Sequence, residues 1–380
     1  MLLLALAVMA DSCRHDYEDS GVQADALTLN MRWSQGYATE TTIEAETGIK
    51  WCVSYLGAEL PAGSFARTLH WTSGTTFSLH LAQAGFSKEA RQKLQTLVAM
   101  LRSSDEYKRT GSIDIGRFIA LTIGSANHYY AITGAATTLT GFKSRFTFDL
   151  KQIAITQSVV SKAHRLIDVA YATAGKTAAF VAIEGFGRID SNTFSAREYE
   201  TIDIMKNGQL RVGIYSQADG KLRPASDTSL TQGGKPAKCL WCHELNFNPS
   251  FSPLAADVPG YYSIPEFQSL ISNQMNLLSA YRSQLNGDVD FSKKQEHQLM
   301  ELLYISFMEP SAARLALEWN MSVQQVQSRM AGLPTHVYPE FPILGQLYYR
   351  KDADARAPYS SMPVPDRIRE PSAYEPDLLK

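Results

Sequence analysis

The chain has 380 residues, 44% of them hydrophobic, enough for two cores of ordinary domain size. Its 36 basic and 38 acidic residues give a net charge of −2 with no long run of either sign, so composition marks neither a nucleic-acid surface nor a polybasic membrane patch. Beyond the N-terminus, no stretch approaches the roughly 18 apolar residues that a membrane-spanning helix needs.

The first element in chain order is an apolar run from Leu2 to Ala10, followed by Asp11-Ser12-Cys13 and the acid-rich segment Arg14 to Asp19. It resembles a signal peptide ending at a bacterial lipoprotein cleavage site. That resemblance implies that residues 1–13 are a leader and that Cys13 is lipidated. The protein would then be extracytoplasmic, in the bacterial cell envelope, and held to the membrane through a lipid anchor. Cleavage after Ala10 and a short buried helix are the alternatives.

An α+β region is expected over residues 21–223. Trp51 to Leu56 reads as a buried strand or a short helix, and Thr76 to Leu81 alternates as a strand does. Ser87 has the character of an N-cap for a helix over Lys88 to Arg102, and a second helix is expected over Ile113 to Ile123. After Gly141, short β-branched or aromatic runs follow at Phe142–Thr156, Leu166–Thr173, Ala178–Glu184, Tyr199–Met205 and Gln209–Tyr215. Short links between them predict an antiparallel sheet with helices on one face. Asn207-Gly208 predicts a type I′ hairpin, which needs positive φ at both residues.

Residues Pro224 to Lys238 have the composition of a linker. Beyond them, four apolar-striped runs, Ile264–Leu285, Ser292–Phe307, Ser311–Trp319 and Val323–Met330, predict an all-helical C-terminal domain over 224–345. Residues 346–380 carry Pro358, Pro363, Pro365, Pro371 and Pro376 and predict an extended proline-rich arm.

Cys239-Leu240-Trp241-Cys242-His243 stands at the start of that helical half. Two thiols three residues apart followed by an imidazole can each form one bond to a porphyrin: a thioether from each cysteine and an axial bond from the histidine to iron. The motif resembles the haem-attachment site of c-type cytochromes, over these residues only. The resemblance implies one covalent haem c on Cys239 and Cys242, with His243 as the metal ligand, an electron-transfer role, and a redox or envelope protein as partner.

The glycine-rich, methionine-bearing segment of small class I cytochromes c is not evident here. Met275, on the first helix after the motif, is therefore the leading candidate for the second axial ligand, followed by Met308, Met321, Met330, His297 and His336. Trp241 would pack on the haem edge. Rival readings are a Cys239–Cys242 disulfide in an envelope protein without redox role, a thiol-redox motif, and a zinc site. No catalytic constellation is recognisable: there is no G-x-S-x-G elbow and no H-E-x-x-H helix. Asn286 to Asp290 begins like a calcium loop, but Phe291 holds the glycine position, which favours an inter-helix turn.

Overall fold

A computed structural model describes residues 24–172, 177–243, 245–247 and 257–380. Cys13 and the apolar run before it lie outside the described residues. The chain is α+β, with two sheets where one was expected. The first has the order β2-β3-β1-β4, built from β1 (Thr28–Arg32), β2 (Leu69–Trp71), β3 (Thr76–His80) and β4 (Ile113–Asp114). β1 pairs antiparallel with β3 but parallel with β4, because the chain crosses through helices before it returns.

Those helices are α1 (Thr42–Tyr55), α2 (Lys88–Ser103) and α3 (Asp105–Thr110). The Trp51 to Leu56 run thus resolves into the end of α1. Ser87 caps α2 as expected, its hydroxyl accepting from the Ala90 amide. The helix expected over Ile113 to Ile123 shortens to α4 (Ile115–Ala120), since its first residues are taken by β4 and Asp114 becomes the cap. After α4 comes α5 (Ala126–Thr133).

The second sheet is an antiparallel meander in sequence order: β5 (Ile153–Ile155), β6 (Arg165–Ala170), β7 (Ala179–Phe186), β8 (Ser195–Ile204) and β9 (Leu210–Ser216). Asn207-Gly208 does turn the β8–β9 hairpin, but not as a type I′ turn. Only Gly208 has positive φ, and Met205 bonds across to Gln209, which leaves a loop of three residues with glycine in the left-handed position. Asn207 instead uses its amide to donate to the Ser54 and Ala58 carbonyls, closing the end of α1.

Past residue 235 the regular elements are α6 (Pro236–His243), α7 (Ile264–Ser283), α8 (His297–Met308), α9 (Ala312–Trp319), α10 (Val323–Arg329) and α11 (Arg350–Arg356). They do not form a separate all-helical domain. α8 packs on α1 and α4, and one core runs continuously from Leu27 through Leu240 and Tyr304 to Leu379. Periodicity locates the apolar stripe of a helix but not its partner, and here the partner lies some 250 residues earlier.

Two further expectations change. The segment read as a linker is anchored: Ser226 bonds to Gly234, Asp227 to Glu198, and Thr231 bridges to Ser161. The proline-rich arm contains α11 and then runs without helix or strand, with Val364, Ile368 and Leu379 buried. Asp288, in the loop resembling a calcium site, is occupied in capping: its carboxylate accepts from the Gly63 and Phe65 amides. The inter-helix turn is confirmed.

Candidate functional site

The motif lies on α6, and helical geometry sorts its side chains. Residues three and four apart share a face, so Cys239, Cys242 and His243 project together. Ala237, Leu240 and Trp241 fall on the other side and are buried in the main core. Trp241 is therefore not on the side expected of a haem shield. Its ring packs at 5.6 Å from Tyr304 and carries the Arg369 guanidinium at the same distance.

Cys239, Cys242 and His243 line one cavity of about 270 Å³, between α6, the second sheet and α7. Strand alternation builds the facing wall. The register aligns Ile153, Ile167, Ala182 and Glu200 in one cross-strand row, with Phe180, Ile202 and Val212 in the next. Phe247, at 4.8 Å from the Phe180 ring, together with Phe267 and Ile271, completes an apolar lining. Cys242 is exposed, which places an opening of the cavity at its end of α6.

His243 is held as a single neutral tautomer. Its Nδ1 lies 3.2 Å from the Asn246 carbonyl, which can only accept, so Nδ1 carries the proton and Nε2 keeps its lone pair. Burial holds the imidazole neutral by lowering its pKa to about 4, and the Arg165 charge adds to this, against the opposing hydrogen bond. A ring that donates through one nitrogen to a backbone carbonyl is fixed in the tautomer that a metal-bound histidine takes. The Cys239 thiol is pushed well up by burial and then by Glu200, the opposite of what a reactive redox thiol requires. Among the described residues, no three His, Cys, Asp or Glu side chains are grouped to hold a metal ion.

One end of the cavity is polar. Arg165 and Glu200 line it, with a 3.1 Å ion pair between them, and Arg165 is also paired with buried Glu184. Burial raises Glu200 to about 7 despite Arg165, and raises its neighbour Glu198 to about 8. These residues escaped the sequence reading, although the alternation of Glu198 and Glu200 along a strand placed both on one face.

The motif helix is locked from behind. Gly234, at φ +72°, brings the backbone so close that a Cβ there would stand 2.3 Å from the Arg369 carbonyl oxygen, and the Lys235 amide donates to that same oxygen at 3.0 Å. The Lys235 ammonium is buried and bonds to Glu375 at 3.0 Å and Ser372 at 3.2 Å. Arg369 pairs with Glu301 and Glu340. The C-terminal segment is thus a clamp on α6.

The expected second axial ligands are placed elsewhere. Met275 packs against the main core and is not in the cavity lining. Met308 lies at a different groove, beside Glu309 and Arg350, while Met321 and Met330 belong to the small core of α9 and α10. His297 is buried with Nδ1 at the Lys294 carbonyl, and His336 Nε2 is 2.8 Å from Glu309.

Fold and site together define an α+β protein whose C-x-x-C-H face closes one side of an apolar cavity. In comparisons with known proteins, no family model, no curated protein and no solved structure matches this chain. Among the described residues, no helix is long and apolar enough to cross a membrane.

Proposed function

We propose that this is an exported protein that carries one covalent c-type haem on α6 and serves electron transfer in the bacterial cell envelope. The observation that carries the reading is the convergence of both thiols and the Nε2 face of a neutral His243 on a single apolar cavity. The donor set fits the group. Cys239 and Cys242 would hold the porphyrin through thioethers, and His243 would bind the iron.

A bound haem supplies a one-electron couple. The chain's own contribution is to orient His243 through Asn246, to exclude water with Ile167, Phe180, Ile202 and Phe267, and to hold α6 rigid through Lys235 and Arg369. The apolar run before Cys13 supports export and lipidation, since attachment of haem to such motifs takes place outside the cytoplasm.

The test is a Cys239→Ser/Cys242→Ser pair, compared with the parent after both are made alongside the haem-attachment machinery. Loss of all colour with retention of the folded state supports the proposal. If the parent is itself colourless, and the serine pair loses only stability, the two cysteines serve a structural role instead.

A further inference from the structure

Two imidazoles meet on the first sheet, a different sheet from the one that faces α6. Strand alternation sends Leu29, Met31, Phe77 and Leu79 into the main core and leaves Thr28, Asn30, Ser78 and His80 on the opposite face. His70, exposed on β2, pairs in register with Ser78, so it lies diagonal to His80, two residues further along β3. Diagonal neighbours are within reach of ring-sized side chains. The two rings meet edge to face with their centroids 5.3 Å apart. Asn30 and Ser78, bonded to each other at 2.9 Å, occupy the middle of this face.

That spacing matches two imidazoles on one metal ion. With metal–nitrogen bonds of about 2.0–2.1 Å and each ring centre about 1.2 Å beyond its nitrogen, bond angles of about 90–109° set the centroids about 4.5–5.4 Å apart. His80 also has the outer contact that orients such a ligand: its Nδ1 lies 3.1 Å from the Thr28 hydroxyl. A ring that donates through Nδ1 to this hydroxyl keeps the Nε2 lone pair for an ion. Among the described residues, neither ring nitrogen of His70 has a hydrogen-bond partner. Burial, and then His70, lower the His80 pKa against the pull of Asp25, which keeps the ring neutral at neutral pH. We propose that His70 and His80 together bind one divalent ion of the late first-row transition series, copper(II) more tightly than zinc(II). Among the described residues no third His, Cys, Asp or Glu joins the pair, so water fills the remaining positions and the ion is exchangeable.

The experiment uses the full chain, stripped of metal with a chelator, in two measurements. In the first, histidines are modified with diethyl pyrocarbonate, with and without zinc(II), and located by peptide mass. Zinc(II) should slow modification of His70 and His80 together and leave His336 as it was, and in His70→Asn the protection of His80 should be lost. In the second, copper(II) is added at one equivalent to the Cys239→Ser/Cys242→Ser chain, in which the motif thiols cannot compete, and electron paramagnetic resonance reads the nitrogen couplings. Two imidazole nitrogens are expected, and no more than one once His70→Asn is added. Thr28→Val should weaken copper(II) binding about tenfold by removing the outer contact. No protection by zinc(II), protection of His80 that persists in His70→Asn, or a copper(II) spectrum with fewer than two nitrogens overturns the inference and leaves the two rings as a packing contact. None of these outcomes bears on the haem reading.

Discussion

Lys235 shows most directly what a single residue does for the site. A buried ammonium costs several kcal/mol in desolvation unless it is paired, and Glu375 is its counter-charge. Removing one partner leaves the other charge buried and alone. Lys235→Met is therefore expected to lower unfolding stability by about 3–5 kcal/mol, the range for breaking a buried pair. The double change Lys235→Met/Glu375→Gln should recover part of that loss, which denaturant unfolding would measure. At the adjacent position, Gly234→Ala places a Cβ against the Arg369 carbonyl in a backbone region that L-residues avoid, and should cost about 1–3 kcal/mol. An unchanged unfolding midpoint in both variants would remove the clamp from the account. Neither residue stood out in the sequence, where a Gly-Gly-Lys-Pro run has the composition of a loop. Its role comes from a segment more than 130 residues later, which no local pattern reveals.

At the scale of elements, the second sheet sets both the shape of the cavity and its dependence on pH. Glu198 and Glu200 hold their protons up to about 8 and 7 in the folded state against an ordinary value of 4.5, chiefly because they are buried. Glu40, buried beside the first sheet, is likewise raised to about 7. Between the ordinary value and these raised ones the folded chain binds more protons than the unfolded chain, so stability falls as pH rises. His128, His164 and His243 act in the other direction below about 6.5, since their folded pKa values are lowered by burial and the unfolded chain there binds more protons. The thermal midpoint should therefore decline from pH 6.5 towards pH 8, and Glu198→Gln should flatten the decline. A midpoint that climbs steadily from pH 6.5 to 8 would contradict this. The meander and most of its strands were legible from β-branched runs, and α2 from its cap and period. Of the first sheet, β3 was legible from its alternation, but β2 and β4 have three and two residues, too short for any periodicity. The motif was legible as residues but its helix was not, since Pro236–His243 adjoins a segment of linker composition, and the wall opposite it depends on strand register, which the sequence leaves open.

For the molecule as a whole, the decisive feature is that the C-terminal helices close the N-terminal layer. Phe307 on α8 is surrounded by the guanidinium groups of Arg350, Arg117 and Arg314 at 3.8, 5.0 and 5.3 Å. These arginines come from α11, α4 and α9, and their carboxylate partners are Glu318, Glu106, Asp114 and Asp354. Glu318 pairs with Arg314 at 2.6 Å and Arg350 at 2.9 Å, and the two charges keep it ionised although burial alone would favour the neutral acid. Glu318→Gln leaves two buried cations short of a counter-charge and should cost about 3–5 kcal/mol. Because the core is continuous, that loss should appear as an earlier single transition seen alike by helix and sheet signals, not as melting of one half. This continuity also explains why the chain encloses a cavity at all: α6 is gripped by the C-terminal segment on one side and faces the meander on the other. Whether that cavity holds a covalent haem is the central claim, and the most direct measurement is the mass of the mature chain, produced with the haem-attachment machinery and unfolded before analysis. One haem retained on the peptide that contains Cys239 and Cys242 is the expected result; that peptide at its unmodified mass, or linked only by a disulfide, would contradict it.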